Sequence, residues 1–166
     1  MKIYTLGHST RTFEEFLSIL KKFGIEVVVD VRRFPRSKKF PWFGKEMLKE
    51  KLKENDVEYI HFPELGGFRK EGYVNFSVTE EFEKSVRKLV DLIHGRKGVI
   101  LCAERYWWRC HRKFIAKKLV EMGYEVLHIL DEESVEEHKK NDERMNYVIF
   151  CDKKAKKKRL NSSSGH

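Results

Sequence analysis

The sequence predicts an α/β domain, a Rossmann-like three-layer arrangement with helices on both faces of a mainly parallel sheet. Two observations carry that reading. Short β-rich runs alternate with segments of helical period along the chain, the order that gives right-handed crossovers between parallel strands. Several of these runs are continuously apolar, as strands covered on both faces must be. A chain of 166 residues, 40% hydrophobic and 13% aromatic, suffices for one core and reads as a single domain over residues 1–152.

The elements follow in order. KIYTL (2–6) is the first strand, and TFEEFLSILKKF (12–23) follows as a helix with Phe13, Phe16, Leu17 and Leu20 on one face. Thr12 and Glu15 have the spacing of a capping box at its start. IEVVVDV (25–31) and VEYIH (57–61) are the next strands. TEEFEKSVRKLVDLI (79–93) is a helix with Phe82, Val86, Leu89, Val90 and Ile93 in one stripe and Thr79 as its cap. GVILCA (98–103) is a buried strand, residues 111–122 a helix, and EVLHIL (125–130) a strand. Residues 132–143 are read as a polar helix and NYVIF (146–150) as a final strand.

Charge and cysteines narrow the class. The formal charge is +9, but KKAKKKR (153–159) carries six of those charges, leaving 9 − 6 = +3 on the rest. Residues 153–166 are therefore expected to be a basic, disordered tail, ending in LNSSSGH, which reads as a cloning remnant. Three cysteines and no secretory leader argue for reduced thiols and a cytoplasmic protein, and no apolar run is long enough to span a membrane.

The chemistry-bearing residues fall after the strands, where parallel sheets hold ligands. GHSTR (7–11) supplies Gly7, His8, Ser9 and Arg11. Loop 32–44 interleaves Arg32, Arg33, Arg36, Lys38 and Lys39 with Phe34, Phe40, Trp42 and Phe43, a mixture suited to phosphates and bases. Gly66 and Gly67 permit close backbone approach. LCAERYWWRCHRKF (101–114) gathers Cys102, Glu104, Trp108, Cys110, His111 and Arg112 at a strand end and a helix start, where a thiolate is favoured. A blander reading also stands: the rings form a satellite core, the cations face water, and Cys102 is an ordinary small core residue. Cys102, Cys110, His111 and His8 match no common zinc spacing, so neither metal nor cofactor is assigned.

LGHSTR, VVVDVRRFPRS, ELGG, LCAE and CHRKFIAKKL, in this order, resemble the uncharacterised family called domain of unknown function 488, over about residues 3–130. The resemblance implies a single Rossmann-like domain of prokaryotes with no established role. Its motif positions here are Gly7, His8, Ser9, Asp30, Arg32, Pro35, Gly66, Gly67, Cys102, Glu104, Cys110, His111 and Arg112. VVVDVR and the later strand, cysteine and helix are also distantly similar to the rhodanese pattern, with Cys102 in the sulfur-accepting place. Seven residues without glycine (103–109) separate it from the helix, a poor fit to a tight anion cradle.

The expectation is an enzyme acting on a phosphate-bearing substrate, a nucleotide or nucleic acid. Cys102 or Cys110 is the reactive thiol, His8 or His111 the proton carrier, and Glu104 and Asp30 orient. Arg11, Arg32 and Arg112 bind the anion, with Gly7, Ser9, Gly66, Gly67 and Trp108 lining the site. The alternatives are a non-catalytic nucleic-acid module, rhodanese-like sulfur transfer and a metal-binding domain. Oligomeric state is not legible.

Overall fold

Val27, Val28 and Val29 are fully buried and alternate, Val27 and Val29 facing one apolar layer and Val28 the other. That alternation is the signature of a sheet covered on both sides. The computed structural model describes residues 1–149 and residue 152. Among them, strands β1 (Lys2–Gly7), β2 (Val27–Asp30), β3 (Glu58–His61), β4 (Gly98–Cys102), β5 (Glu125–Asp131) and β6 (Ser134–Glu137) form one sheet in the order β3-β2-β4-β1-β5-β6. β1 to β5 are parallel, and β6 closes the edge antiparallel to β5. The expected three-layer α/β domain is what the chain adopts.

Helices α1 (Phe13–Lys22) and α2 (Lys45–Glu54) cover one face, burying Phe16, Leu20, Leu48 and Leu52 against Leu6, Val28, Val99 and Leu101. A short helix, α3 (Tyr73–Phe76), and the longer α4 (Glu80–Ile93) and α5 (Arg112–Glu121) cover the other, burying Phe82, Val86, Leu89, Ile115 and Leu119 against Ile3, Val29, Ile100 and Val126. The caps are as the sequence indicates. Thr12 accepts from Glu15 N while the Glu15 carboxylate accepts from Thr12 N, and Thr79 accepts from Phe82 N.

The chain crosses from β1 over to β2 and β3, then returns to place β4 between β2 and β1 before continuing to β5. The reversal leaves a crevice at the carboxyl ends of β2, β4 and β1, the switch point where such sheets bind ligands.

Two local expectations need correction, and one helix has no counterpart among them. Residues 132–143 are not a helix: they turn into β6, whose burial alternates along the strand and whose Val135 is exposed. A polar segment without an apolar stripe gives a helix nothing to bury, whereas an edge strand needs only one covered face. Residues 146–149 are not a strand: Asn146 ends a 3-10 turn (Glu143–Asn146), no further strand follows to residue 149, and Phe150 lies outside the described residues. α2 went unread because Leu48 and Leu52 are its only buried residues. The basic tail also lies outside the described residues. No helix among those described is long and apolar enough to cross a membrane.

Gly7, the last residue of β1, has the Glu104 carbonyl oxygen 1.7 Å from where a Cβ would stand, whereas Gly95, at φ 79°, has nothing within 4 Å. Gly7→Ala is therefore expected to lower stability by more than about 3 kcal/mol and Gly95→Ala by only about 1 kcal/mol. Urea unfolding of the two variants checks this; equal losses would contradict the packing described.

Candidate functional site

The site begins where β1 runs past its partner. His8 N donates to Cys102 O at 2.8 Å and Ser9 N to Ala103 O at 2.9 Å, extending the ladder between β1 and β4 by two residues. Ser9 then takes a left-handed φ of 53°, and its carbonyl accepts from His8 Nδ1 at 2.9 Å. A carbonyl can only accept, so Nδ1 carries the ring proton and Nε2 is the acceptor. The group facing Nε2 is Arg32 Nη1, at 3.2 Å.

Arg32 is itself held by Asp30 two residues earlier. Asp30 Oδ1 accepts from Arg32 N at 3.0 Å and from Nε at 2.9 Å, and Oδ2 accepts from Nη2 at 2.7 Å and from the Tyr59 hydroxyl. Asp30 is completely buried and Arg32 is 7% exposed. A bidentate, doubly supported pair of this kind fixes the guanidinium plane. Burial, then the Asp30 charge, push the Tyr59 phenol upward, so it stays a donor. His61 Nε2 meets Arg32 O at 2.8 Å and secures the backbone as well.

Burial, and next the Arg32 charge, push His8 down to about 4. It is neutral at ordinary pH, stacked on Phe43 with ring centroids 4.3 Å apart.

Cys102 ends β4, and Cys110 precedes α5 after a 3-10 turn (Trp107–Arg109). Their sulfurs are 2.8 Å apart. Cys102 Sγ also donates to Glu104 O at 3.6 Å, while Cys110 Sγ accepts from Arg112 N at 3.5 Å and lies 3.7 Å from His111 Nδ1. Burial, then the Cys110 sulfur, push the Cys102 thiol well up, opposite to the thiolate sought from the sequence.

These groups share one cavity of about 360 Å³. His8, Arg32, Gly67, Cys102, Glu104, Cys110 and His111, all candidates from the sequence, line it. Arg33, Phe34, Arg36, Ser37, Phe68, Ala103 and Arg109 line it too. Four arginines, Arg32, Arg33, Arg36 and Arg109, and one acidic residue, Glu104, are thus among the residues that line it. At the rim Phe34 is 64% and Phe68 43% exposed, with ring centroids 6.2 Å apart. Phe68 holds a φ of 60°, a strained conformation for a bulky side chain, and its carbonyl accepts from Arg33.

Other anticipated residues stand outside the cavity. Asp30 lies behind Arg32. Arg11 donates to the carbonyls of Gly7, His8 and Leu130, and Arg112 Nη2 to those of Glu104 and Arg105, so both brace the strand ends. Arg112 is 1% exposed, and its Nε and Nη1 have no partner among the described residues. Gly66 lets the chain pass Arg33, whose Cβ would stand 2.7 Å from an added Cβ. Ser9 shapes the His8 turn. Trp108 stacks on Tyr106 and under Arg144, while Trp107 is buried against His128. The aromatics therefore divide: Phe40, Trp42, Phe43 and Trp107 pack inward, and Phe34 and Phe68 face the cavity mouth. Among the described residues no three of His, Cys, Asp or Glu are grouped to hold a metal ion.

The family model described as domain of unknown function DUF488 matches residues 12–119, more than half of the chain. No curated protein and no solved structure matches it.

The depressed histidine gives stability a pH dependence of definite sign. Above pH 6.5 His8 is neutral in both states; below it the unfolded chain takes a proton that the folded site refuses until about pH 4. Stability is expected to fall across that window by roughly 3 kcal/mol from His8 alone. His128 and His138, lowered chiefly by burial, act in the same direction. Imidazole titration by NMR should place the His8 midpoint near 4; a midpoint near the ordinary histidine value would contradict the buried contact with Arg32.

Proposed function

The chain belongs to the DUF488 family, and from the geometry of its site we propose that it binds and acts on a phosphate-bearing substrate, a nucleotide. The observation that carries this reading is the cavity lining: four arginines and two histidines with one acidic residue, under an exposed aromatic pair. Guanidinium forks match phosphate oxygens, and an aromatic face accepts a base of any sequence.

The residues divide the work by their setting. Arg32 is immobilised by Asp30 and meets the anion as a fixed donor. Arg36 and Arg109 are exposed and close on it from the rim. Phe34 and Phe68 take the base. His8 is the proton carrier: without ligand its imidazole is held neutral, and a phosphate dianion beside it favours the protonated ring and raises its pKa toward neutrality. Asp30 orients through Arg32 without touching the substrate.

A second reading, a non-catalytic module for single-stranded nucleic acid, has one observation in its favour. A neighbouring hollow of about 630 Å³ shares Arg33, Phe34, Arg36 and Ser37 with the cavity and runs on past Lys45 and His61. The two readings part on length. A nucleotide site saturates with a mononucleotide, whereas a strand-binding groove tightens as the oligonucleotide lengthens and loses affinity steeply with salt.

Calorimetric titration with nucleoside phosphates should show binding that Arg36→Ala and Arg109→Ala each weaken about tenfold or more. Phe68→Gly should weaken binding while leaving the melting temperature unchanged or higher, because it removes the ring and the left-handed strain together. Absence of nucleotide binding at low salt would overturn the proposal, and affinity rising with oligonucleotide length would replace it with the second reading.

A further inference from the structure

The acid–base reading leaves two sulfur atoms unused. Cys102 and Cys110 stand 2.8 Å apart, closer than two thiols in simple van der Waals contact, and a disulfide bond of about 2.05 Å needs only a small approach from there. We propose that Cys102 and Cys110 form a redox-active dithiol that reduces a peroxide entering the cavity and becomes an intramolecular disulfide. The proposal does not rest on nucleotide binding.

Three features of the fold give the two sulfurs different tasks. Cys102 is fixed: it ends β4 in the middle of the sheet, with its S–H directed at Glu104 O. Cys110 follows a loop whose Ala103, Arg105, Tyr106 and Arg109 are exposed, so it lies on the solvent side of the pair. Both line the cavity, with Cys110 5% and Cys102 1% exposed, so an entering molecule of peroxide size meets Cys110 first. Cys110 also lies at the start of α5, accepting from Arg112 N, with His111 Nδ1 3.7 Å away to take its proton.

The chemistry balances. The Cys110 proton passes to His111, and the Cys110 sulfur attacks one oxygen of the peroxide. The O–O bond breaks, the leaving oxygen recovers the proton from His111 as an alcohol or water, and Cys110 is a sulfenic acid. Cys102 then attacks the Cys110 sulfur, the S–O bond breaks, the S–S bond forms, and the departing hydroxyl leaves as water with the Cys102 proton. Two thiols supply two electrons to one peroxide, and a low-molecular-weight thiol regenerates the pair by exchange.

The test exposes the full chain to hydrogen peroxide, blocks remaining thiols and digests with trypsin without reductant. Cleavage after Lys97, Arg105, Arg109 and Arg112 separates the two cysteines, so the expected product is peptide 98–105 joined to peptide 110–112, two hydrogen atoms lighter than the pair and split by dithiothreitol. Cys102→Ser should halt at a sulfenic acid on Cys110 that dimedone traps, and Cys110→Ser should leave Cys102 unoxidised over the same exposure. The wild-type digest needs no variant to fold. Unlinked peptides after exposure, a bridge to Cys151 instead, or oxidation of Cys102 in Cys110→Ser would each overturn the assignment.

Discussion

A buried carboxylate must find partners for its oxygens, and at Asp30 that requirement organises the site. Asp30 is completely buried at the end of β2, and its partners are the Arg32 backbone and guanidinium and the Tyr59 hydroxyl. Breaking such a pair leaves an uncompensated charge, at a cost of about 3–5 kcal/mol. The guanidinium therefore has one position, from which Nη1 meets His8 Nε2. The cation beside His8 thus follows from where Asp30 lies in the sheet, while burial and the Ser9 carbonyl set the neutral state and the tautomer of the imidazole.

The cations of the chain serve two purposes, and only geometry separates them. Parallel strands end with carbonyls to which no neighbouring strand donates, and buried donors must meet them. Arg11 and Arg112 do so at the ends of β1 and β5 and in the loop after β4, and Lys113 does so for Trp108 and Tyr147. Burial lowers Lys113 to about 8. These groups stabilise the crevice. Arg33, Arg36 and Arg109 line it while remaining exposed, and they are available to an anion. The crevice thus has a hydrogen-bonded floor under an exposed cationic rim.

The sequence made the sheet and its crevice legible because parallel strands buried on both faces are written as apolar runs, Val27–Val29 and Val99–Leu101 above all, and because Thr12 and Thr79 mark helix starts. It also brought together His8, Arg32, Cys102, Glu104, Cys110 and His111, since loops after parallel strands converge. Other parts carried no local signal. β6 is an edge strand with one covered face, and its residues read as polar in any conformation. Arg11 and Arg112 have the same composition as anion binders, and the carbonyls they meet, at Leu130 for example, are distant in the chain. Phe68 follows two glycines that drew attention to backbone freedom, yet the positive φ belongs to the phenylalanine. Trp108 and Trp107 are adjacent in sequence and lie in different environments, which no period could separate.

Whether an anion belongs beside Arg32 is decided most directly at His8. Its imidazole can be followed by nitrogen NMR across pH in the presence of a nucleoside phosphate. The account predicts that the midpoint, about 4 without ligand, moves upward as phosphate saturates the site, because the bound negative charge offsets Arg32 and favours the protonated ring. A midpoint that stays unchanged at saturating nucleotide, or moves downward, would contradict it.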